Sequence, residues 1–390
     1  MSNQPDAHED SQHKKILFIS RPLQAPWDEA SKNLAHDLAK NITDADITVL
    51  THGQVDDLPR NITQQSIYTE ASINFSLWQK MLLIVWLIFN AKKYDVIHLF
   101  FTPSTLNARI LKKIFPIETH VIQTIATVRE DLYGPVHENL TLYRDIFFAD
   151  TLITFSQYAH NLLDKAGFEN VLQIYPGIDL KKYYPTAKSP ELVKKWNIKL
   201  NDFIIAYPGE FTRLGATDVI VDAFLEIWSD PANAHIKYLC ACRIKNVADE
   251  SKKSAVRERF RKAGHLDKVI FSDTFTGNMN DIYNLADLIL FPVVTMAGKF
   301  DVPLAMIEPY ACKKLVVASD LPVFTEFSHN DINVIIPKNS SKEIQKAILS
   351  IVQNSSKHVR RGEQAFNFVH HNFDIKNIAA KYKELYDTIN

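Results

Sequence analysis

The stretch DFIIAYPGEFTRLGATDVIVDAF, residues 202–224, contains the unit from which the fold follows. FIIAY is a short apolar run, which predicts a buried strand. PGEFTRLGA breaks this pattern with a proline and two glycines, as a loop does. TDVIVDAF then has apolar residues at helical spacing. A strand, a loop and a helix in this order predict one unit of a doubly wound parallel sheet.

The same alternation extends along the chain in both directions. After residue 224, helical segments separate the apolar runs IKYLCACR, KVIFSDT, LILFPVV and NVIIP. Before residue 180, a first series consists of KILFIS, DITVLTH, YDVIHLFF, HVIQTIAT, ADTLITFS and VLQIYPGID. The nearly continuous apolar run of YDVIHLFF is typical of a parallel strand covered on both faces. The sequence therefore predicts an α/β protein with two Rossmann-like, doubly wound domains that face each other across a cleft.

The boundaries of these domains follow from composition. We predict a disordered tail at residues 1–14, a first Rossmann-like domain at 15–180 and a second at 201–368. A linker at 181–200 is indicated by KKYYPTAKSP, which is charged, has two prolines and lacks periodicity. Residues 369–390 are predicted to form a terminal helix.

Composition excludes several classes of function. The 44 basic and 45 acidic side chains give a net charge of −1, whereas a general nucleic-acid-binding protein has a large basic excess. The three cysteines lack metal-ligand spacing, so we expect buried reduced thiols and no bound metal. Only ten glycines occur and none forms G-x-G-x-x-G, so no dinucleotide cofactor is expected. With no apolar secretory segment near the start, the sequence predicts a cytoplasmic protein.

Three segments in order, with the last residues of the chain, resemble one family. They are YPGIDLKKYYP (175–185), YPGEFTRLGATDVIVDAF (207–224), KFDVPLAMIEPYACKKLVVASD (299–320) and the ending FVHHNFDIKNIAAKYKELYDTI (368–389). Together they resemble the GT-B glycosyltransferases of the family 4 type, also called glycosyl transferases group 1. The resemblance covers the chain from about residue 15 onward. It implies a GT-B fold whose last helix crosses back onto the first domain. It also implies retaining sugar transfer from a UDP- or GDP-linked donor, without a metal.

The segment 299–320 is similar to the donor-binding part of that family. By the resemblance, Glu308 is the second Glu of an E-x7-E motif, and it would accept hydrogen bonds from the ribose hydroxyls; the alternative is a surface Glu. A helix starting at Val302-Pro303-Leu304 would point free N–H groups at a phosphate. The first Glu would stand at position 300, where this chain has Phe300. Asp301 either replaces it at the transferred sugar or is an N-cap.

The phosphate-binding loop departs from the family pattern. The family has an Arg after the first Gly and a Lys before the second, but here Glu210 follows Gly209 and Leu214 precedes Gly215. Arg213 is the substitute candidate, since a guanidinium binds a diphosphate bidentately and stabilises the charge of the leaving group. It is otherwise a solvated loop cation. Glu210 beside a phosphate would be repulsive, so we expect it to pair with a basic side chain or to contact the acceptor.

The first domain departs from the pattern as well. The position of a family His that contacts the donor sugar is Ala126 here, and spacing does not choose among its polar neighbours Thr124, Thr127, Arg129, Glu130 and Asp131. Lys32 follows Ala30-Ser31, which replaces paired glycines at the start of a helix whose N-terminus would face the diphosphate or the acceptor. His98 ends a strand and is interpreted as structural in preference to catalytic. The candidates for contact with acceptor or sugar are Lys32, His98, Thr127 and Arg129.

The most apolar segment, MLLIVWLIF (81–89), has Lys80 before it and Lys92 and Lys93 after it. It is shorter than the roughly 20 residues of a membrane-spanning helix. Two interpretations stay open. One is a buried helix between strands; the other is a helix on the inner membrane surface, with Trp78 and Trp86 at interfacial depth.

The leading hypothesis is a retaining glycosyltransferase that acts on a saccharide or lipid-linked acceptor in surface glycan synthesis. The alternative is a catalytically silent GT-B-like binding or scaffolding protein. That alternative is motivated by the departures at Ala126, Glu210, Leu214 and Phe300. The nucleotide, the sugar and the acceptor do not follow from the sequence, because side chains from several loops select them.

Overall fold

Two parallel β-sheets form the framework of the chain in the computed structural model, which describes residues 13–389 except 26, 28, 71–75, 273–277 and 330. At 355–357 it describes the backbone alone. The predicted tail at 1–14 lies almost entirely outside the described residues. The two sheets with their flanking helices confirm the α/β prediction of two Rossmann-like units.

The first sheet has seven strands in the described residues: β1 (Lys15–Ile19), β2 (Asp46–Thr51), β3 (Thr63–Ser66), β4 (Val96–Leu99), β5 (His120–Ile125), β6 (Thr151–Thr154) and β7 (Val171–Gln173). All pairs are parallel, in the order β3-β2-β1-β4-β5-β6-β7. Its helices are α1 (Ala30–Asn41), α2 (Leu77–Asn90), α3 (Thr105–Ile114), α4 (Glu130–Tyr133), α5 (Leu140–Ile146) and α6 (Gln157–Lys165). A 3₁₀ turn follows α2 at Ala91–Lys93.

The second sheet follows helix α7 (Pro190–Lys195). Its strands are β8 (Phe203–Tyr207), β9 (Ile236–Cys240), β10 (Val269–Phe271), β11 (Leu288–Phe291), β12 (Val316–Ser319) and β13 (Val334–Ile336). They pair in parallel in the order β10-β9-β8-β11-β12-β13. The helices are α8 (Thr217–Trp228), α9 (Val247–Lys262), α10 (Met279–Leu285), α11 (Leu304–Ala311), α12 (Ser341–Gln353), α13 (Ser355–Asn372) and α14 (Ile375–Thr388), with 3₁₀ turns at Pro231–Asn233, Leu266–Lys268 and Pro322–Phe327.

The order of the strands tells where a ligand would bind. In the first sheet the chain leaves β1 toward β2 and later returns to pair β4 on the other side of β1. In the second sheet β8 is flanked in the same way by β9 and β11. Ligands of such sheets bind beyond the carboxyl ends of the strands, where the order reverses. The loops that follow β8 and β11 therefore meet at the expected binding crevice.

The chain crosses between the domains twice, and the two crossings are hydrogen-bonded to each other. The Ile178 N–H donates to the carbonyl of Phe373 (2.8 Å), and the Ile375 N–H donates to the carbonyl of Ile178 (3.1 Å). A Cβ at Gly177 would lie 2.7 Å from the Cα of Ile375, so this contact requires a glycine. After the crossing, α14 lies against α1 of the first domain.

The segments between the domains differ in detail from the prediction. Residues 369–372, which the sequence places in the terminal helix, belong to α13, because the chain breaks its helical path at Phe373 and Asp374. The segment predicted as linker contains α7 and is attached to α10. The Tyr184 N–H donates to Asn280 Oδ1 (3.0 Å), and the Thr186 N–H donates to Asn284 Oδ1 (2.9 Å).

Helix α2 is buried on one side only. Leu83 and Leu87 pack into the core of the first sheet, whereas Trp78 and Phe89 are exposed. Among the described helices, none combines the length and the apolar character that crossing a membrane requires. The three cysteines are buried free thiols.

Candidate functional site

A buried carboxylate held by three cations lies in the loop after β8. Glu210 accepts hydrogen bonds from Arg213 Nε and Nη2 (2.6 and 2.7 Å), from Lys245 Nζ (2.7 Å) and from Lys299 Nζ (2.5 Å). Its side chain is 5% exposed, and those of the cations are between 24% and 41% exposed. We call these four residues the Glu210 cluster. Glu210 is thus paired with basic side chains, which was one of the two expectations from sequence.

The electrostatics of the Glu210 cluster favour an added anion. Burial raises the pKa of Glu210, but hydrogen bonds from the three cations outweigh it and hold this pKa well below its ordinary value. Burial lowers the pKa of Lys299 to about 8, although Glu210 opposes the change. With Lys299 protonated, three positive charges face one negative charge. The cluster therefore has positive charge to offer to a phosphate group.

The Glu210 cluster lies where the loops after β8 and β11 meet. The Val294 N–H donates to the carbonyl of Leu214 (2.9 Å), which joins the two loops. Arg213 Nη1 donates to the carbonyl of Gly298 (3.4 Å). A Cβ at Gly209 would lie 2.1 Å from the ring of Tyr207, so the backbone here packs directly on that ring. The strand order places the loop after β8 at the carboxyl edge of the second sheet, and the sequence of this loop makes it cationic.

Helix α11 carries Glu308 at the same edge of the sheet. Its half-buried carboxylate accepts a hydrogen bond from the Tyr283 hydroxyl (2.6 Å) and another from the Tyr183 hydroxyl. Burial raises the pKa of Glu308, and the two hydroxyls lower it. Two phenols therefore orient this carboxylate, which suits it to accept further hydrogen bonds from a ligand's hydroxyl groups.

The turn before α11 differs from the expected arrangement of free amides. Pro303 is the N-cap, and no side chain caps the helix, so Asp301 is not the N-cap that one interpretation made it. The Leu304 N–H, expected to face a phosphate, donates to the carbonyl of Val302 (3.0 Å) in a tight turn. Val302 itself is buried. An anion at this edge would therefore meet side-chain cations and not a free Leu304 amide.

Asp301 lies at the contact between the domains. Its N–H donates to the carbonyl of Ala126 (3.1 Å), and its carboxyl group is bonded by the Thr127 hydroxyl and the Val128 N–H. Burial raises the pKa of Asp301 to about 7 against these two hydrogen bonds. Within the described part of the chain, its Oδ2 atom has no hydrogen-bond partner. Asp301 thus stands beside Ala126 of the first domain.

Arg129 reaches the second domain from the first. It is paired with Asp131 through Nε (3.0 Å) and Nη2 (3.1 Å). A Cβ at Gly298 would lie 3.8 Å from Arg129 Nη2 and 3.6 Å from Arg213 Nη1. Both guanidinium groups therefore lie close to the same glycine, and Arg129 brings positive charge from the first domain to this part of the second.

Two candidates from the sequence lie away from any surface that an acceptor could reach. His98 is fully buried, with Nδ1 2.6 Å from the Tyr386 hydroxyl oxygen and Nε2 2.7 Å from Thr124 Oγ1. Burial lowers the pKa of His98 to about 3. Lys32 is also fully buried, and its ammonium group lies 5.7 Å from the centroid of the Trp27 ring. His98 is thus structural, as the preferred interpretation of the sequence had it, and Lys32 is corrected from an acceptor candidate to a part of the interior.

Sequence reasoning missed four residues that complete the site: Lys245, Lys299, Tyr183 and Tyr283. Lys245 follows β9, so its position at the end of a neighbouring strand was the available signal. Lys299 belongs to the segment compared with the family, but spacing alone does not show which way it points. The two tyrosines come from the predicted linker and from a short helix, and no pattern links either of them to Glu308.

Comparisons with known proteins find one family in the second domain. A family model for glycosyl transferases group 1 matches residues 188–368, which contain the Glu210 cluster and Glu308. An uncharacterised glycosyltransferase of Methanocaldococcus jannaschii is 21% identical over 251 residues, or 62% of this chain. The match spans 59% of that relative's length.

The fold is also found in solved structures. HepE from Anabaena, solved in complex with UDP and glucose, superposes with a TM-score of 0.73 at 16% identity, over 96% of this chain and 100% of that one. WaaG, a glycosyltransferase involved in lipopolysaccharide biosynthesis, superposes with a TM-score of 0.67 at 13% identity, over 96% of this chain and 99% of that one. At these identities the likeness shows the two-domain fold.

Proposed function

We propose that this chain transfers a hexose from a nucleotide diphosphate sugar with retention of configuration. The proposal is supported by the GT-B fold and by the match of the second domain to glycosyl transferases group 1. The donor is UDP- or GDP-linked, and the acceptor is a saccharide or a lipid-linked glycan in surface glycan synthesis. The nucleotide sugar is a co-substrate, and the reaction uses no further cofactor.

The Glu210 cluster is the observation that carries this proposal. A diphosphate brings two or more negative charges, and the cluster has three cations around one carboxylate at the carboxyl edge of the second sheet. Arg213 and Lys299 hold the diphosphate and stabilise the charge that grows on it when the sugar leaves. Glu308, oriented by its two tyrosines, binds the ribose hydroxyls.

Retention follows from a displacement in which the acceptor attacks the face that the leaving group departs from. The leaving phosphate takes the acceptor's proton, so the mechanism requires no separate base. Asp301 stands at the contact between the domains and is the group proposed to touch the transferred sugar. Its raised pKa makes it able to donate or accept a hydrogen bond near neutral pH.

UDP is the preferred nucleotide of this proposal, supported by the UDP bound to the structurally similar HepE. The acceptor class is supported by the likeness to WaaG. A lipid-linked acceptor is presented at a membrane surface, and the exposed apolar side of α2 supports a peripheral position on the cytoplasmic membrane face.

Calorimetric titration with UDP, GDP and ADP tests the donor site. We expect one clear binder, and we expect Glu308→Gln to weaken it at least about tenfold, since an amide replaces the charged acceptor of two hydroxyls. Absence of binding to all three nucleotides would overturn the proposal. Retention is tested by proton NMR of the product, because the coupling constant of the anomeric proton reports whether the donor's configuration is kept.

One observation favours the alternative, a silent binding protein. Phe300 occupies the place of the family's first Glu, and its ring packs 5.1 Å from that of Phe155 in the first domain. The position is therefore filled by an apolar contact. A protein that binds UDP but neither transfers sugar nor hydrolyses the UDP-sugar without acceptor would have this second function.

A further inference from the structure

Helix α2 has an apolar face that no described part of the chain covers. Six large apolar side chains on it are between 48% and 76% exposed: Leu77, Trp78, Met81, Val85, Ile88 and Phe89. At 100° per residue these positions fall on one arc, opposite to the buried Leu83 and Leu87. A soluble surface rarely leaves so many large apolar groups together, so this face marks an interaction site.

The sequence around this face is basic, although one of its cations, Arg109, is paired with Asp145 (2.8 Å). Residues 76–117 contain six Lys or Arg and a single Asp, in a chain whose net charge is −1. The basic residues are Lys80, Lys92, Lys93, Arg109, Lys112 and Lys113. Helix α3, which carries the last three, packs beside α2. Leu106 in α3 and Ile117 after it are also exposed, at 69% and 99%.

We propose that α2 and α3 form a docking surface for an anionic lipid bilayer. The apolar face of α2 lies in the boundary between headgroups and acyl chains, with the helix parallel to the membrane, and the basic side chains contact lipid phosphates. A helix of 14 residues is too short to span a bilayer, but its length suits this position.

Charge decides between a membrane and a second copy of the chain. Two copies paired through this surface would bring two basic segments together, and the repulsion would oppose the gain from apolar contact. An anionic bilayer supplies both the apolar layer and the opposite charge. This inference rests on the peripheral position included in the proposed function and specifies its surface and its lipid charge. It does not depend on transfer activity, and it would bring the cleft to lipid-linked acceptors.

The structure changes which residues anchor the helix. The sequence suggested Trp78 and Trp86 at interfacial depth, but Trp86 is half-buried and its ring lies 6.3 Å from that of Tyr94. The outermost aromatic groups are Trp78 and Phe89, at 58% and 68% exposed. Substitution of these two residues therefore tests docking without removing core contacts.

Co-sedimentation of the full chain with vesicles tests the proposal without any nucleotide or sugar. We expect binding to vesicles of phosphatidylcholine mixed with phosphatidylglycerol, and weaker binding to phosphatidylcholine alone. The double variant Trp78→Ser, Phe89→Ser should lose at least about tenfold in partition. Lys92→Gln, Lys93→Gln should lose roughly fivefold for each lysine, and this loss should shrink at high salt.

Leu200→Ser is the matched control. Leu200 lies in the segment before β8, away from α2, and its side chain is fully exposed. It should sediment like the wild type, and circular dichroism should show that every variant is folded. Wild-type protein that stays in solution with anionic vesicles overturns the proposal. Equal sedimentation of wild type and the Trp78, Phe89 variant also overturns it. So does a dimer in light scattering that the same variant converts to monomer, because a second copy then covers the face.

Discussion

Asp301 couples folding to pH. Its carboxyl group in the unfolded chain ionises near its ordinary pKa, but in the folded chain burial keeps its proton until about pH 7. Between about pH 4 and 7 the folded state therefore binds more protons, and the free energy of unfolding falls as the pH rises through this window. Above the folded pKa this contribution is lost and the curve levels off.

Asp301→Asn should remove this pH dependence. The wild type should lose up to about 4 kcal/mol relative to the variant between pH 4 and pH 8, at about 1.4 kcal/mol per unit of pKa change. Urea denaturation of both proteins at several pH values measures the difference. Parallel curves for wild type and variant would show that Asp301 titrates normally.

Glu210 sets the charge of the cationic site. Glu210→Gln leaves Arg213, Lys245 and Lys299 facing one another without their shared carboxylate. We expect a loss of about 1–3 kcal/mol in the free energy of unfolding, reduced from the fully buried case because the cations are partly exposed. Added inorganic pyrophosphate should raise the melting temperature of the variant more than that of the wild type.

Glu258→Gln provides the comparison for Glu210. Glu258 is paired with Arg261 (2.7 Å) on the exposed surface of α9, so its loss should leave the response to pyrophosphate unchanged. If pyrophosphate stabilises the wild type and Glu210→Gln equally, the three cations do not form an anion site.

At the scale of residues, sequence reasoning named groups marked by the spacing of a motif, and it passed over Lys299, which lies in such a segment without that mark. Arg213 and Glu308 were identified because each belongs to a segment with a recognisable spacing. Lys245 and Tyr183 were not, because their distance from the site along the chain depends on how strands and linker pack. Burial also could not be read from the residue type, as fully buried Lys32 shows.

At the scale of elements, α14 is attached to the first sheet through a buried polar contact. The Tyr386 hydroxyl lies 2.6 Å from His98 Nδ1 of β4, and both groups are buried. Tyr386→Phe leaves this nitrogen without its partner, so we expect a loss of about 1–2 kcal/mol in the free energy of unfolding. Tyr184→Phe, on an exposed side chain, should change it by less than about 0.5 kcal/mol. If urea denaturation shows the same loss for Tyr386→Phe and Tyr184→Phe, the hydrogen bond of Tyr386 does not attach α14 to the first sheet.

Elements were predictable where their apolar pattern was strong. The inner strands of both sheets, such as β4 and β8, were recognised from their nearly continuous apolar runs. In the structure every residue or nearly every residue of these strands is buried. Strand β3, with the sequence TQQS, was missed because an edge strand of polar residues has no apolar signal. Helix α9 begins at Val247, where the side chain of Asn246 caps it.

At the scale of the whole molecule, one core cluster contains buried residues of both domains, among them Phe18 of β1 and Ile204 of β8. The two domains should therefore unfold as one cooperative unit. Saturating UDP, bound to the second domain, should slow amide exchange in β5 of the first domain, by up to about 100-fold at a concentration 100 times the dissociation constant. Hydrogen exchange followed by mass spectrometry measures this. Protection confined to residues 203–336 would mean that the domains unfold separately.

The paired crossings near Gly177 and Phe373 have a mechanical consequence. Because Ile178 exchanges backbone hydrogen bonds with both sides of the second crossing, the two connections act as one joint. Sliding one domain past the other would break these bonds, whereas rotation about the joint keeps them. The linker beyond Tyr183 travels with the second domain, since α10 holds it. Opening of the cleft is therefore expected as a swing about the joint where Gly177 meets Ile375.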